Sequence, residues 1–308
     1  MNRPLPIFIV LAFGLSWAAA LPLWLGGGLG SPLMPLLATV MMFTPTAALL
    51  GVWAVTRTPS KEWARTTGLT LGGSRKRTGL IVAVTWLGVP LLAFLAMGLS
   101  AAAGLVALDL DRLSLLRAAL EARGMEIPAD LGTVAALQIV VAILAGPLLN
   151  AIPALGEEWG WRGWLLPRLT STNGVLAGLL FSGAIWGLWH APLTLLGYNY
   201  PSLGSWAALF FIGFCVLAGV LFGWLRLRTG SVWPAVVAHG SLNAVVPPVL
   251  LLGDDAAPPN ELLVGLTGLV GWVVLALAGA ALLRFFPVRQ EPPAEARPVA
   301  ADARSSAE

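Results

Sequence analysis

The chain has 308 residues, of which 57% are hydrophobic and only 11% charged, and its mean hydropathy is +0.83. Soluble domains carry about 25% charged residues and must present a polar exterior, so this composition argues against a soluble enzyme, a disordered chain and a nucleic-acid-binding module. The net charge of +3 and the pI near 9.6 are read as charges that set membrane topology, not as a polyanion footprint.

Charge-free apolar runs of about 20 residues are the signature of membrane-spanning helices. Eight occur, at 7–27, 34–56, 79–104, 132–153, 174–196, 204–225, 232–252 and 262–283, and none contains Asp, Glu, Lys or Arg. A helix is the expected form because it satisfies each backbone N–H and C=O within its own segment. The predicted fold class is therefore all-α, a polytopic membrane protein. The first run follows Arg3 and contains Ala18-Ala19-Ala20, a pattern a signal peptide also shows. The apolar stretch continues to Trp24 and Leu25, so an uncleaved span is expected. Between spans three and four, the segment 105–131 carries Leu113, Leu116 and Leu120 beside Arg112, Arg117 and Glu121. This spacing predicts a short amphipathic helix lying at the membrane interface. Residues 1–286 read as one membrane domain, and 287–308, rich in Pro, Ala and charge, as a disordered cytoplasmic tail.

Numbering the connections alternately places fifteen of the 18 Lys and Arg residues on one side, leaving Arg112, Arg117 and Arg123 on the other. By the positive-inside rule this puts both termini in the cytoplasm. Two lysines against sixteen arginines suggest a GC-rich bacterial genome, and hence the inner (plasma) membrane. The single cysteine, Cys215, allows no intrachain disulfide and no Cys-based zinc cluster.

Polar groups inside a bilayer are costly, so their positions carry information. Glu157 and Glu158 follow span four directly, among tryptophans and leucines. In a helix Glu158 and Arg162 are four apart and can pair, while Glu157 is offset by about 100° and is the freer carboxylate. The expected division of labour is that Glu158–Arg162 fixes the helix and Glu157 faces the site as a general base. The bland alternative is a solvated turn with an ordinary ion pair. His190, in span five, is followed by Pro192, which cannot donate to the carbonyl of Leu188 and so opens the helix beside it. His239 and Asn243, in span seven, share one helical face and can grip a ligand, a water or an oxyanion. For these two sites the alternative is a histidine or amide that merely joins helices.

His190 lies about 16 residues into its span and His239 about 7, roughly 24 and 11 Å at 1.5 Å per residue. Straight spans would not bring them level. Convergence requires helices broken at Pro192 and Pro234, or a later start for span five. Brought together, these groups suit peptide hydrolysis. Glu157 and His190 can activate water, and His239 with Asn243 can stabilise the oxyanion. Alternatively Glu157, His190 and His239 can hold one zinc ion. No HExxH pattern is present, so such a metal site would have to be assembled from separate helices.

On these residues the chain resembles the CPBP family of intramembrane endopeptidases, which includes the type II CAAX prenyl proteases. The resembling motifs are Glu157-Glu158-Trp159-Gly160-Trp161-Arg162, then Trp186 and His190 with three residues between them, then His239 and Asn243 with three residues between them. Trp186 stands where many members have Phe. The resemblance is carried by residues 150–248. It implies an endopeptidase that cuts near the C-terminus of a membrane-tethered substrate. In the prenyl-protease branch that substrate is a lipidated CAAX protein. It also implies Glu157 and His190 as water activators and His239 with Asn243 as the oxyanion grip. Zinc is ambiguous in the family. Some bacterial members are associated with bacteriocin self-immunity, so a non-catalytic binder of a membrane partner is the competing function. A His/Glu proton-relay transporter is a third, against which stands the lack of any visible inverted repeat.

Overall fold

The computed structural model describes residues 4–288. In chain order its helices are α1 (Pro4–Leu25), α2 (Met34–Thr56), α3 (Ser60–Thr66), α4 (Arg75–Ala102), α5 (Ser114–Glu121), α6 (Leu131–Leu144), α7 (Gly146–Leu149) and α8 (Ala151–Glu158). A π-helical turn (Trp159–Leu165) leads into α9 (Leu166–Asn173). Then come α10 (Val175–Trp189), α11 (Ala191–Thr194), α12 (Ala207–Thr229), α13 (Trp233–Leu250) and α14 (Leu269–Phe285). Among the described residues the only strand-like pairing is an isolated bridge between Leu108 and Gly253. Four helical stretches, α1, α2, α4 and Gly204–Thr229, are long and apolar enough to cross a membrane. Helices α6, α10 and α14 are apolar but shorter. Large apolar side chains point outward from several of these helices, Val10, Leu80, Leu91 and Leu277 among them, as lipid-facing helices require.

Helix α12 is the hub. Its apolar window is 61% buried within the protein, against 22–33% for the other three membrane-length helices. It packs against α10 through small residues. A Cβ on Gly183 would meet the backbone of Val216 at 2.6 Å, one on Gly187 would meet Ile212 at 2.6 Å, and Gly219 lies against Gly183 from the other side. Without a hydrophobic drive between helices in lipid, such close backbone approach is the usual source of association.

Three expectations are corrected. The run 132–153 is not one helix. It breaks after Leu144 and again at Asn150, because Pro147 has no N–H for the carbonyl of Ile143. The indole of Trp86 on α4 donates to that carbonyl instead, at 2.7 Å. The last helix begins at Leu269, not 262; residues 262–268 form turns whose backbone bonds fold back on themselves. Residues 114–121 are helical as expected, but their apolar face is on protein and not on lipid. Leu113, Leu116 and Leu120 pack with Leu131, Ala135 and Leu252, and Ser114 donates to Asp254 at 3.2 Å. From residue 289 onward the expected disordered tail lies outside the described residues.

The contacts sort the connections into two ends. At one end Arg226 donates to the carbonyl of Thr66 at 3.0 Å, Val232 N–H to Gly68 at 2.8 Å, and Arg228 to Pro287 at 3.4 Å. At the other, Asp109 N–H donates to Leu252 at 3.0 Å, Ser202 N–H to Glu261 at 2.7 Å, and Tyr200 to the carbonyl of Thr267 at 2.8 Å.

Candidate active site

Helix α8 and the π turn carry the paired carboxylates into the bundle. Gly156 and Gly160 lie where a Cβ would strike the carbonyl of Met42 at 2.7 Å and the ring of Pro45 at 2.6 Å, so the segment lies flush on α2. Gly240 of α13 similarly approaches the carbonyl of Pro147, 2.8 Å from a built Cβ. These contacts place Glu157 and Glu158 next to α13 and α10 with essentially no exposure: 1% for Glu157, 0% for Glu158 and Arg162, and 4% for His239.

Glu158 accepts from Arg162 Nη1 at 2.8 Å. Its same oxygen, Oε1, also accepts from His239 Nδ1 at 3.0 Å. The expected i,i+4 pair is thus present, with a third member that residue spacing did not reveal. The guanidinium also covers aromatic faces, with Cζ 4.2 Å from the Trp186 ring centroid and 5.3 Å from that of Phe222. The ring of His239 stacks on Phe222, with centroids 5.8 Å apart.

Glu157 points elsewhere. Its Oε2 accepts from the indole N–H of Trp186 at 2.7 Å. The backbone carbonyl of the same Trp186 accepts from His190 Nδ1 at 2.9 Å. Trp186 therefore holds both groups, one by its ring and one by its main chain. Its ring lies 5.5 Å from each imidazole centroid. The two histidines do converge, although α10 is unbroken up to Trp189 and α13 is unbroken throughout. The helices therefore do not run in parallel from one level, which is why counting residues from each entry point misjudged the depth. The break at Pro192 follows His190 and turns the chain into α11.

Since a carbonyl or carboxylate can only accept, each Nδ1 carries the proton and each Nε2 is left for a ligand. Asn243 is exposed on the face of α13 that lines the same space. Together Glu157, His190, His239 and Asn243 border one cavity of about 340 Å³, with Trp186 and Asn150. Asn150 spends its amide on the carbonyl of Gly146 at 2.9 Å, closing the helix break beside the site. Thr44 went unnoticed in the sequence. Pro45 frees the carbonyl of Met41, Thr44 Oγ1 donates to it at 2.8 Å, and Thr44 in turn accepts from Trp189 Nε1 at 3.3 Å. A Thr-Pro pair inside an apolar run was the signal available.

The zinc set of Glu157, His190 and His239 does not assemble. Among the described residues no three His, Cys, Asp or Glu side chains come close enough to hold a metal ion. His239 is turned toward Glu158 and Glu157 toward Trp186, so no step is assigned to a metal.

Residues 135–245, which carry all three motifs, match the family model "Type II CAAX prenyl endopeptidase Rce1-like". A curated relative, "CAAX prenyl protease 2" of Methanococcus maripaludis, is 28% identical over 100 residues, covering 31% of this chain and 37% of that protein. The chain thus matches little more than a third of that relative's length. Over residues 135–245, the stretch that forms the cavity's polar floor, the chain is similar to the Rce1-like type II CAAX prenyl endopeptidases.

Proposed function

We propose that the protein is an intramembrane endopeptidase that hydrolyses a peptide bond near the C-terminus of a membrane-tethered substrate, a prenylated CAAX-type protein being the form the family match suggests. The observation that carries this reading is the meeting of Glu157, His190, His239 and Asn243 around one cavity. Buried ionisable groups that border a cavity are costly to keep and mark function more often than packing.

In this reading a water sits between the Glu157 carboxylate and His190 Nε2. Glu157 takes a proton as the water oxygen attacks the scissile carbonyl carbon, and His190 orients the water through its Nε2 lone pair. The carbonyl oxygen becomes an oxyanion. Asn243 donates its amide N–H to it, and a doubly protonated His239 gives Nε2–H to it while Nδ1–H stays on Glu158. That protonation leaves the buried group balanced: two carboxylates, one guanidinium and one imidazolium. The C–N bond then breaks, and Glu157 returns its proton to the leaving amine. Trp186 positions base and water ligand at once; it is a positioning residue.

The test is cleavage of a prenylated C-terminal peptide by the purified full chain in lipid vesicles. Cleavage is expected, and it is expected to disappear in Glu157→Gln and His190→Ala. Cleavage at the unmodified rate by both variants would overturn the proposal.

A further inference from the structure

The chain has two tyrosines, and they use their hydroxyls differently. Tyr200 is fully buried and donates to the carbonyl of Thr267 at 2.8 Å. Tyr198 is 37% exposed and borders the cavity that holds Glu157 and His190. Its hydroxyl has no hydrogen-bond partner among the described residues. It lies in the connection after span five. Burial and, after it, the negative charge of Glu157 hold this phenol above the usual tyrosine range, so it keeps its proton and remains a donor.

The turn that carries Tyr198 is fixed to the histidine. Helix α11 follows His190 directly, and the indole of Trp24 on α1 donates to its Pro192 carbonyl at 2.9 Å. The carbonyl of Leu193 then accepts from Leu196 N–H at 3.0 Å and from Tyr198 N–H at 3.1 Å. Gly197 N–H donates to the carbonyl of Thr194 at 2.9 Å, and its φ of 97° is one that glycine takes without a steric penalty. Short-range bonds therefore set Tyr198 in place relative to His190 before any ligand arrives. A donor held in this way loses little freedom on binding.

A peptide lying in this cavity brings its own backbone carbonyls with it. Met41, Met42, Phe211, Phe214 and Leu242 border the space and offer them no hydrogen bond. Asn150 spends its amide on Gly146, and the proposed mechanism engages His239 and Asn243 on the scissile carbonyl. A carbonyl taken out of water and left unpaired is costly, so its neighbours need a further donor. The geometry points to Tyr198 as a substrate-binding residue whose hydroxyl donates to a main-chain carbonyl next to the scissile bond. No Lys or Arg borders the cavity among the described residues. A neutral phenol close to Glu157 therefore suits a neutral amide, whereas a carboxylate there would meet the charge of Glu157. The inference rests on the proteolytic reading for the scissile bond, but the contact itself is a matter of binding.

The experiment measures binding of a fluorescent prenylated C-terminal peptide to the full chain in lipid vesicles. Glu157→Gln serves as the parent, so that the peptide is not consumed. Adding Tyr198→Phe keeps the ring and removes the hydroxyl. It is expected to weaken binding by about 2–12-fold with the unfolding midpoint unchanged. In the active chain the same substitution should raise KM by a similar factor and move kcat less. Thioamides, whose sulfur is a poor acceptor, then replace the peptide carbonyls on either side of the scissile one, singly. One of them should weaken binding to the parent and cost the Tyr198→Phe chain nothing further. Equal binding by parent and Tyr198→Phe overturns the inference. So do a lowered unfolding midpoint, thioamide losses of one size in both chains, and the absence of peptide binding. Coupled losses without cleavage by the unmodified chain would leave the contact standing and remove the proteolytic reading. Cleavage without coupling would do the opposite.

Discussion

Glu157 and Glu158 are neighbours in the chain and live in different surroundings. Glu158 is tied to charge through one oxygen, which holds both Arg162 and His239, while its other oxygen is buried without a hydrogen bond, and two aromatic rings cover the guanidinium. Glu157 has one neutral donor, the Trp186 indole, and borders open space. A buried carboxylate whose partners are charges is committed to structure, because removing any partner strands another. One held by a single neutral hydrogen bond keeps capacity for a water. A helical offset of about 100° between successive residues is enough to assign the two roles.

The largest effect that would sharpen this contrast is expected on the charge-paired side. Arg162→Ala should destabilise the protein by about 3–5 kcal/mol, since Glu158 is then left buried without its guanidinium. Thermal unfolding in detergent measures it, and an unchanged midpoint would put the two carboxylates on the same footing. Glu157→Gln keeps the shape and removes the base. It should leave the unfolding midpoint in place while lowering cleavage by about 10²–10⁴-fold. Were the protein a bacteriocin-immunity binder, protection of cells would survive this substitution. Trp186→Phe keeps the ring between the histidines and removes only the donor to Glu157. A hydrogen bond to a charged group contributes about 1.5–3 kcal/mol, so a loss of roughly 10–100-fold in kcat is expected, with KM moved less. Trp189→Phe deletes the neutral bond to Thr44, worth about 0.5–1.5 kcal/mol, and should be read in stability alone.

Much of this contrast was legible before any coordinates. The i,i+4 relation of Glu158 and Arg162 and the single helical face of His239 and Asn243 follow from helix geometry, and the apolar runs gave the long helices α2 and α4 closely. What spacing could not give was anything decided across the bundle. That His239 joins Glu158, that Phe222 stacks on the imidazole, and that Trp86 rescues the carbonyl freed by Pro147 all depend on which helices are neighbours. The same limit explains the misread depth of His190 and the amphipathic segment at Ser114–Glu121, whose leucines found protein where lipid was expected. Apolar periodicity reports that a face is hidden from water and is silent about what hides it.

The glycine seam between α10 and α12 has a bearing on how the site can yield. Two backbones in direct contact leave no side chains to repack, so the wall bearing His190 cannot swing outward without parting a tightly fitted joint. The opposite wall is made of short pieces, α6, α7 and α8, separated at Ala145 and Asn150. Any widening that lets a chain in or a product out therefore belongs to the segmented side, with the seam as its fixed jamb.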